Sequence, residues 1–116
     1  MSHRSVICAL GAAIALAVTS TAATANEQAM KVLAEVSAKY QVDLKKLFAT
    51  NCSWCHDGYG MDGGKAPKLA GTRKSQEQVA AQIANGKSGY MPGFKKTLKE
   101  EQIEALAAYI KALPSE

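Results

Sequence analysis

Cys52-Ser-Trp-Cys55-His56 is the stretch whose reading decides the fold. It has the form C-x-x-C-H, the haem attachment signature. The spacing has a physical reason. Two thiols on one turn of backbone can reach the two vinyl groups of a single haem and form thioethers. The imidazole of the next residue then lies under the iron as its proximal ligand. Two other readings compete. A thiol-redox C-x-x-C opens a helix after a strand, and no strand pattern precedes Cys52. A structural zinc site needs four ligands.

The ligand count follows from the leader. Met1–Ser5 carries Arg4, an apolar run spans Val6–Val18, and Ala23-Thr24-Ala25 has the A-x-A form of a cleavage site. The apolar run is shorter than the about 20 residues of a membrane-spanning helix. Residues 1–25 therefore read as a signal peptide cleaved after Ala25, and no stable membrane anchor is expected. The leader has no twin-arginine pair, which favours the general export route and a periplasmic location. Its removal takes Cys8 and His3, leaving Cys52, Cys55 and His56 as the only cysteines and histidine. These are too few for zinc. A disulfide between Cys52 and Cys55 would close too small a loop to stabilise much.

Arg4 also leaves, so 14 basic residues become 13 against 10 acidic ones, a net charge of about +3. No Lys/Arg run is interleaved with aromatics, so nucleic acid is not an expected partner.

Working outward, Asp43 is a candidate N-cap for a helix over Leu44–Thr50. Upstream, Met30, Leu33, Val36 and Tyr40 form one face of a helix over Glu27–Tyr40. Downstream, Asp57–Thr72 reads as a glycine-rich loop. Ser75 with Gln78 fits a capping box for a helix ending near Asn85, with Gly86 as its stop. Residues 86–96 form a second loop. The last helix starts between Thr97 and Lys99, presents Ile103, Leu106, Ala107, Tyr109 and Ile110, and ends at Pro114. The pattern is all-α, three to four helices separated by two loops. So small a core needs a staple, and a large apolar cofactor would serve.

A low-spin iron needs a second strong ligand, and methionine is the natural choice here. Met61 lies close behind His56, too near to reach the opposite haem face comfortably. Met30 sits on a helix face, where methionine is usually core. Met91 is far along the chain, and Pro92 restricts its backbone. Met91 is the expected ligand, opposite His56.

With these residues in hand, the chain resembles class I, low-spin monohaem cytochromes c from about Asp43 to Leu113. The resemblance rests on Leu47-Phe48 before the C-x-x-C-H motif, Ala66-Pro67-Lys-Leu69-Ala-Gly71, Tyr90-Met-Pro-Gly-Phe94 and Ile103–Ile110. It implies a small cytochrome c fold around one haem c, covalent through Cys52 and Cys55 with His56 and Met91 on the iron. It implies that the Pro67 carbonyl accepts the Nδ1 proton of His56. Leu69 would line the pocket, and Phe48, Leu106 and Tyr109 would join the first and last family helices.

Residues 26–42 precede the family's usual start, as an extension expected to pack on the 43–116 domain. Tyr59 and Arg73 are weighed as propionate donors but expected to be merely exposed. The implied function is one-electron transfer between redox proteins, a donor dehydrogenase or cytochrome complex and an acceptor oxidase, by a monomer that is not an enzyme. The alternatives are a dedicated haem subunit of a dehydrogenase or oxidase, and a C-x-x-C thiol-disulfide oxidoreductase. Lys65, Lys68, Arg73, Lys74, Lys87, Lys95 and Lys96 flank the two loops, either as a steering patch for acidic partners or as a solvated surface.

Overall fold

The computed structural model describes residues 11–18 and 21–115. Much of the leader, including Arg4 and Cys8, lies outside the described residues. Four helices follow: α1 (Ala25–Tyr40), α2 (Leu44–Asn51), α3 (Gln76–Asn85) and α4 (Glu100–Ala112), with one 3-10 turn at Gly58–Gly60. Among the described residues there is no strand, only an isolated bridge between Lys87 and Met91. No described helix is long and apolar enough to cross a membrane.

α1 begins two residues before the expected Glu27. Thr24 makes the difference: its hydroxyl accepts from the Glu27 amide, and Glu27 returns the bond to the Thr24 amide, a complete capping box. Ala29, Leu33 and Val36 are buried along one face, and α1 packs against α2, α4 and the Gly58–Gly60 turn. Its apolar stripe thus joins the same core as the later helices. Gln41 closes the helix with φ 54°, a left-handed cap taken without glycine.

α2 starts as its sequence predicts, with the Asp43 carboxylate accepting from the Lys46 amide at 3.1 Å. Leu44 and Phe48 are fully buried and Leu47 is half-buried. The Ser75 and Gln78 box also forms, and α3 ends at Gly86 with φ 69°. At α4 the two candidate starts are resolved in favour of Lys99. The Gln102 side chain accepts from the Lys99 amide at 2.9 Å, while the Thr97 amide is spent on the Phe94 carbonyl in the preceding turn. The whole expected α4 face is buried.

Tyr109 organises the centre. It packs edge-on against Phe48, with ring centroids 5.8 Å apart, and its hydroxyl donates to the Tyr59 carbonyl at 2.6 Å. Tyr59 is not merely exposed: it is half-buried, lies 5.6 Å from the Phe48 ring and holds φ 53°. The left-handed backbone turns its carbonyl toward α4. Tyr109→Phe is expected to cost about 1 kcal/mol by leaving that carbonyl without its partner. Burial also raises the Tyr109 phenol above the usual tyrosine range. The folded state therefore holds this proton more tightly than the unfolded chain. The linked stability is complete below about pH 10 and is lost as pH rises beyond it. Denaturant melts across that range should show the decline in the parent and a flatter profile in Tyr109→Phe.

Candidate functional site

The C-x-x-C-H motif forms a single turn on the end of α2. The Cys52 carbonyl accepts from the Cys55 amide at 3.2 Å and from the His56 amide at 2.9 Å, and the Cys52 amide continues α2 through the Phe48 carbonyl. The fully buried Phe48 thereby anchors the motif to the core. Cys52 is half-buried and Cys55 exposed, and both are free thiols. Trp54, between them, is largely exposed and donates its ring N–H to the Thr50 carbonyl at 3.2 Å.

The following loop is folded back over the motif. The Ala66 amide donates to the Cys55 carbonyl at 3.0 Å, and the Leu69 and Ala70 amides both donate to the Gly60 carbonyl. Gly60 has φ 93°, and a Cβ there would press on the Leu69 side chain. This close approach brings the Pro67 carbonyl to 3.2 Å from His56 Nδ1. A carbonyl only accepts, so Nδ1 carries the hydrogen in this bond. Leu69 is half-buried and Pro67 exposed.

Met91 stands on the other loop, half-buried. Its amide donates to the Lys87 carbonyl and its carbonyl accepts from the Lys87 amide, each at 2.8 Å. That small ladder lies against the end of α3. A Cβ at Gly86 would collide with the Met91 carbonyl and the Gly93 nitrogen, and one at Gly93 would meet the Ala84 carbonyl at 2.8 Å. Both glycines are needed for this approach. Met61 is buried in the core, 3% exposed, and Met30 packs on the core's margin. Of the six residues singled out in sequence, hydrogen bonding draws Cys52, Cys55, His56 and Pro67 together. Leu69 reaches them through its own loop, and Met91 is presented separately.

Two exposed aromatics stand within the quoted motifs without an assigned role. Trp54 is 77% and Tyr90 83% exposed, with the Lys87 ammonium 5.1 Å from the Tyr90 ring centroid. Their signal was position alone: one inside the motif, the other beside Met91.

The donor set fits covalent haem better than its rivals. Among the described residues no group of three or more His, Cys, Asp or Glu side chains is placed to hold a metal ion. Burial pushes the Cys52 thiol up to about 11, opposite to the lowered pKa that activates a redox C-x-x-C. What remains is two unbridged thiols on one turn, with an imidazole oriented through its Nδ1.

A family model described as "Cytochrome C oxidase, cbb3-type, subunit III" matches residues 41–110. Cytochrome c6 of Nostoc sp. is 44% identical over 71 residues, covering 56% of this chain and 63% of that protein. Cytochrome c6 of Leptolyngbya boryana is 38% identical over 71 residues, covering 56% of this chain and 82% of that protein. The chain thus spans less than two thirds of the Nostoc relative. The solved c-type cytochrome KustC0563 superposes with a TM-score of 0.54 at 26% identity, over 60% of this chain and 95% of that one. The helices, the thiol turn and these matches agree: the chain belongs to the cytochrome c family, as a class I monohaem member whose cofactor is covalently bound haem c.

Proposed function

We propose that this protein is a periplasmic electron carrier, taking one electron from a donor redox protein and delivering it to an acceptor without acting as an enzyme. The observation that carries the reading is the thiol turn with His56 held by the Pro67 carbonyl. Cys52 and Cys55 are the attachment thiols. Pro67 fixes the ring plane of His56 and, by accepting its Nδ1 proton, raises the basicity of Nε2 as a ligand. Met91 would supply the second protein ligand to the iron, and Leu69 part of the apolar lining. When bound, the haem supplies a one-electron iron couple whose potential depends on its ligands and burial. With Met91 and His56 both holding the iron, no position would remain for a substrate, which favours a carrier over an oxidase.

The relatives named cytochrome c6 support this reading. The basic side chains around the two loops, from Lys65 to Lys96, are exposed. They provide a salt-sensitive attraction for acidic partners.

The test is the absorption spectrum of the purified holoprotein in both redox states. A near-infrared charge-transfer band from iron–methionine bonding is expected in the oxidised protein and should vanish in Met91→Ala. The variant's potential should fall by on the order of 100 mV or more, within the range that axial ligands span. Persistence of the band would sink the assignment of Met91. The description of the matched family as an oxidase subunit favours a second reading, a haem subunit held in a complex. Gel filtration of native extract separates the two: a carrier elutes at its own small size.

A further inference from the structure

We propose that the exported chain is cut between Ala23 and Thr24, two residues ahead of the bond marked by the A-x-A signature, so that the mature protein begins at Thr24. The proposal rests on the reading of a cleavable leader and adds where it ends. Thr21-Ala22-Ala23 also presents small residues before the scissile bond. These three residues are exposed and outside regular structure. Ala25, by contrast, already belongs to α1 and packs against the core.

The capping box decides between the two bonds. The Thr24 hydroxyl accepts from the Glu27 amide at 3.2 Å, and the Thr24 amide donates to Glu27 Oε2 at 2.9 Å. The Thr24 carbonyl accepts from the Gln28 amide at 3.0 Å. A cut after Ala25 removes all three bonds and the Ala25 contact. It also strips Glu27 of its partner, while an ammonium at the positive end of the α1 dipole is common to both cuts. Asn26 can cap a helix, but its third following residue is Ala29, which has no side chain able to return the bond.

A cut after Ala23 keeps every bond. Water adds across the Ala23–Thr24 amide; Ala23 departs with the leader as a carboxylate, and the Thr24 amine takes up the proton. The ammonium then stands where the amide stood, beside the Glu27 carboxylate, and the neutral bond becomes a charge-assisted one.

The experiment is intact-mass measurement with N-terminal sequencing of holoprotein, produced from the full precursor in a host that exports it and attaches haem. The expected first residue is Thr24. A first residue of Asn26, or any other cut, overturns the proposal while leaving the leader reading intact; an uncut chain overturns both. Two matured forms, starting at Thr24 and at Asn26, provide the second measurement. The shorter should melt about 4–8 °C lower, and equal melting temperatures would remove the physical basis of the assignment.

Discussion

A chain carrying both Cys52→Ala and Cys55→Ala is expected to retain no haem after denaturation in acidified organic solvent, whereas the parent retains all of it. Two independent covalent bonds hold the cofactor, so the double variant falls to background and each single variant keeps one thioether. The singles should differ. Cys52 is half-buried at the end of α2, whereas Cys55 is exposed. Cys55→Ala therefore leaves only the less accessible thiol and is expected to give the lower yield of attached haem. Haem retained by the double variant would sink the attachment assignment outright.

Phe48→Ala is expected to cost about 3–5 kcal/mol, a large share of the about 5–15 kcal/mol that holds a natural domain together. Phe48 is fully buried. Its ring meets Tyr59 and Tyr109, so truncation opens a cavity and removes two aromatic pairs. Its carbonyl also accepts the amides of Cys52 and Ser53, the latter at 3.0 Å. Loss of the ring therefore loosens the segment that presents both thiols. Guanidinium unfolding of the holoprotein measures the effect. Phe48→Leu, which preserves most of the volume, should cost less than about 1.5 kcal/mol. Equal losses in the two variants would show that the aromatic contacts, which both remove, outweigh the filled volume.

What could be read from the chain in advance was local. Asp43, the Ser75–Gln78 pair and Gly86 act within a turn of their own positions, so their roles follow from residue type and spacing. The α4 stripe is periodic, and its burial follows from the period. The thiol motif is legible because both cysteines and the histidine are neighbours in sequence.

The features that escaped depend on distant partners. Tyr59 adopts a left-handed backbone that its residue type disfavours, and it does so where α4 delivers a hydroxyl to its carbonyl. Thr97 lost the α4 cap to Lys99 because the preceding turn had already engaged its amide. α1 gained its first turn from Thr24, which stood within a segment read as leader. The position of Met91 relative to His56 is likewise a matter of how two loops close over one cofactor, which spacing alone does not determine.

The contact between His56 and the Pro67 carbonyl spans 11 residues, whereas that between Tyr109 and the Tyr59 carbonyl spans 50. Loop-closure entropy grows with the logarithm of length, so the longer closure costs roughly 1.3 kcal/mol more. The histidine's environment is thus a short-range unit, whose closure costs the chain less entropy than docking the C-terminal helix. Orienting the imidazole is a local matter; sealing the interior draws on the length of the chain.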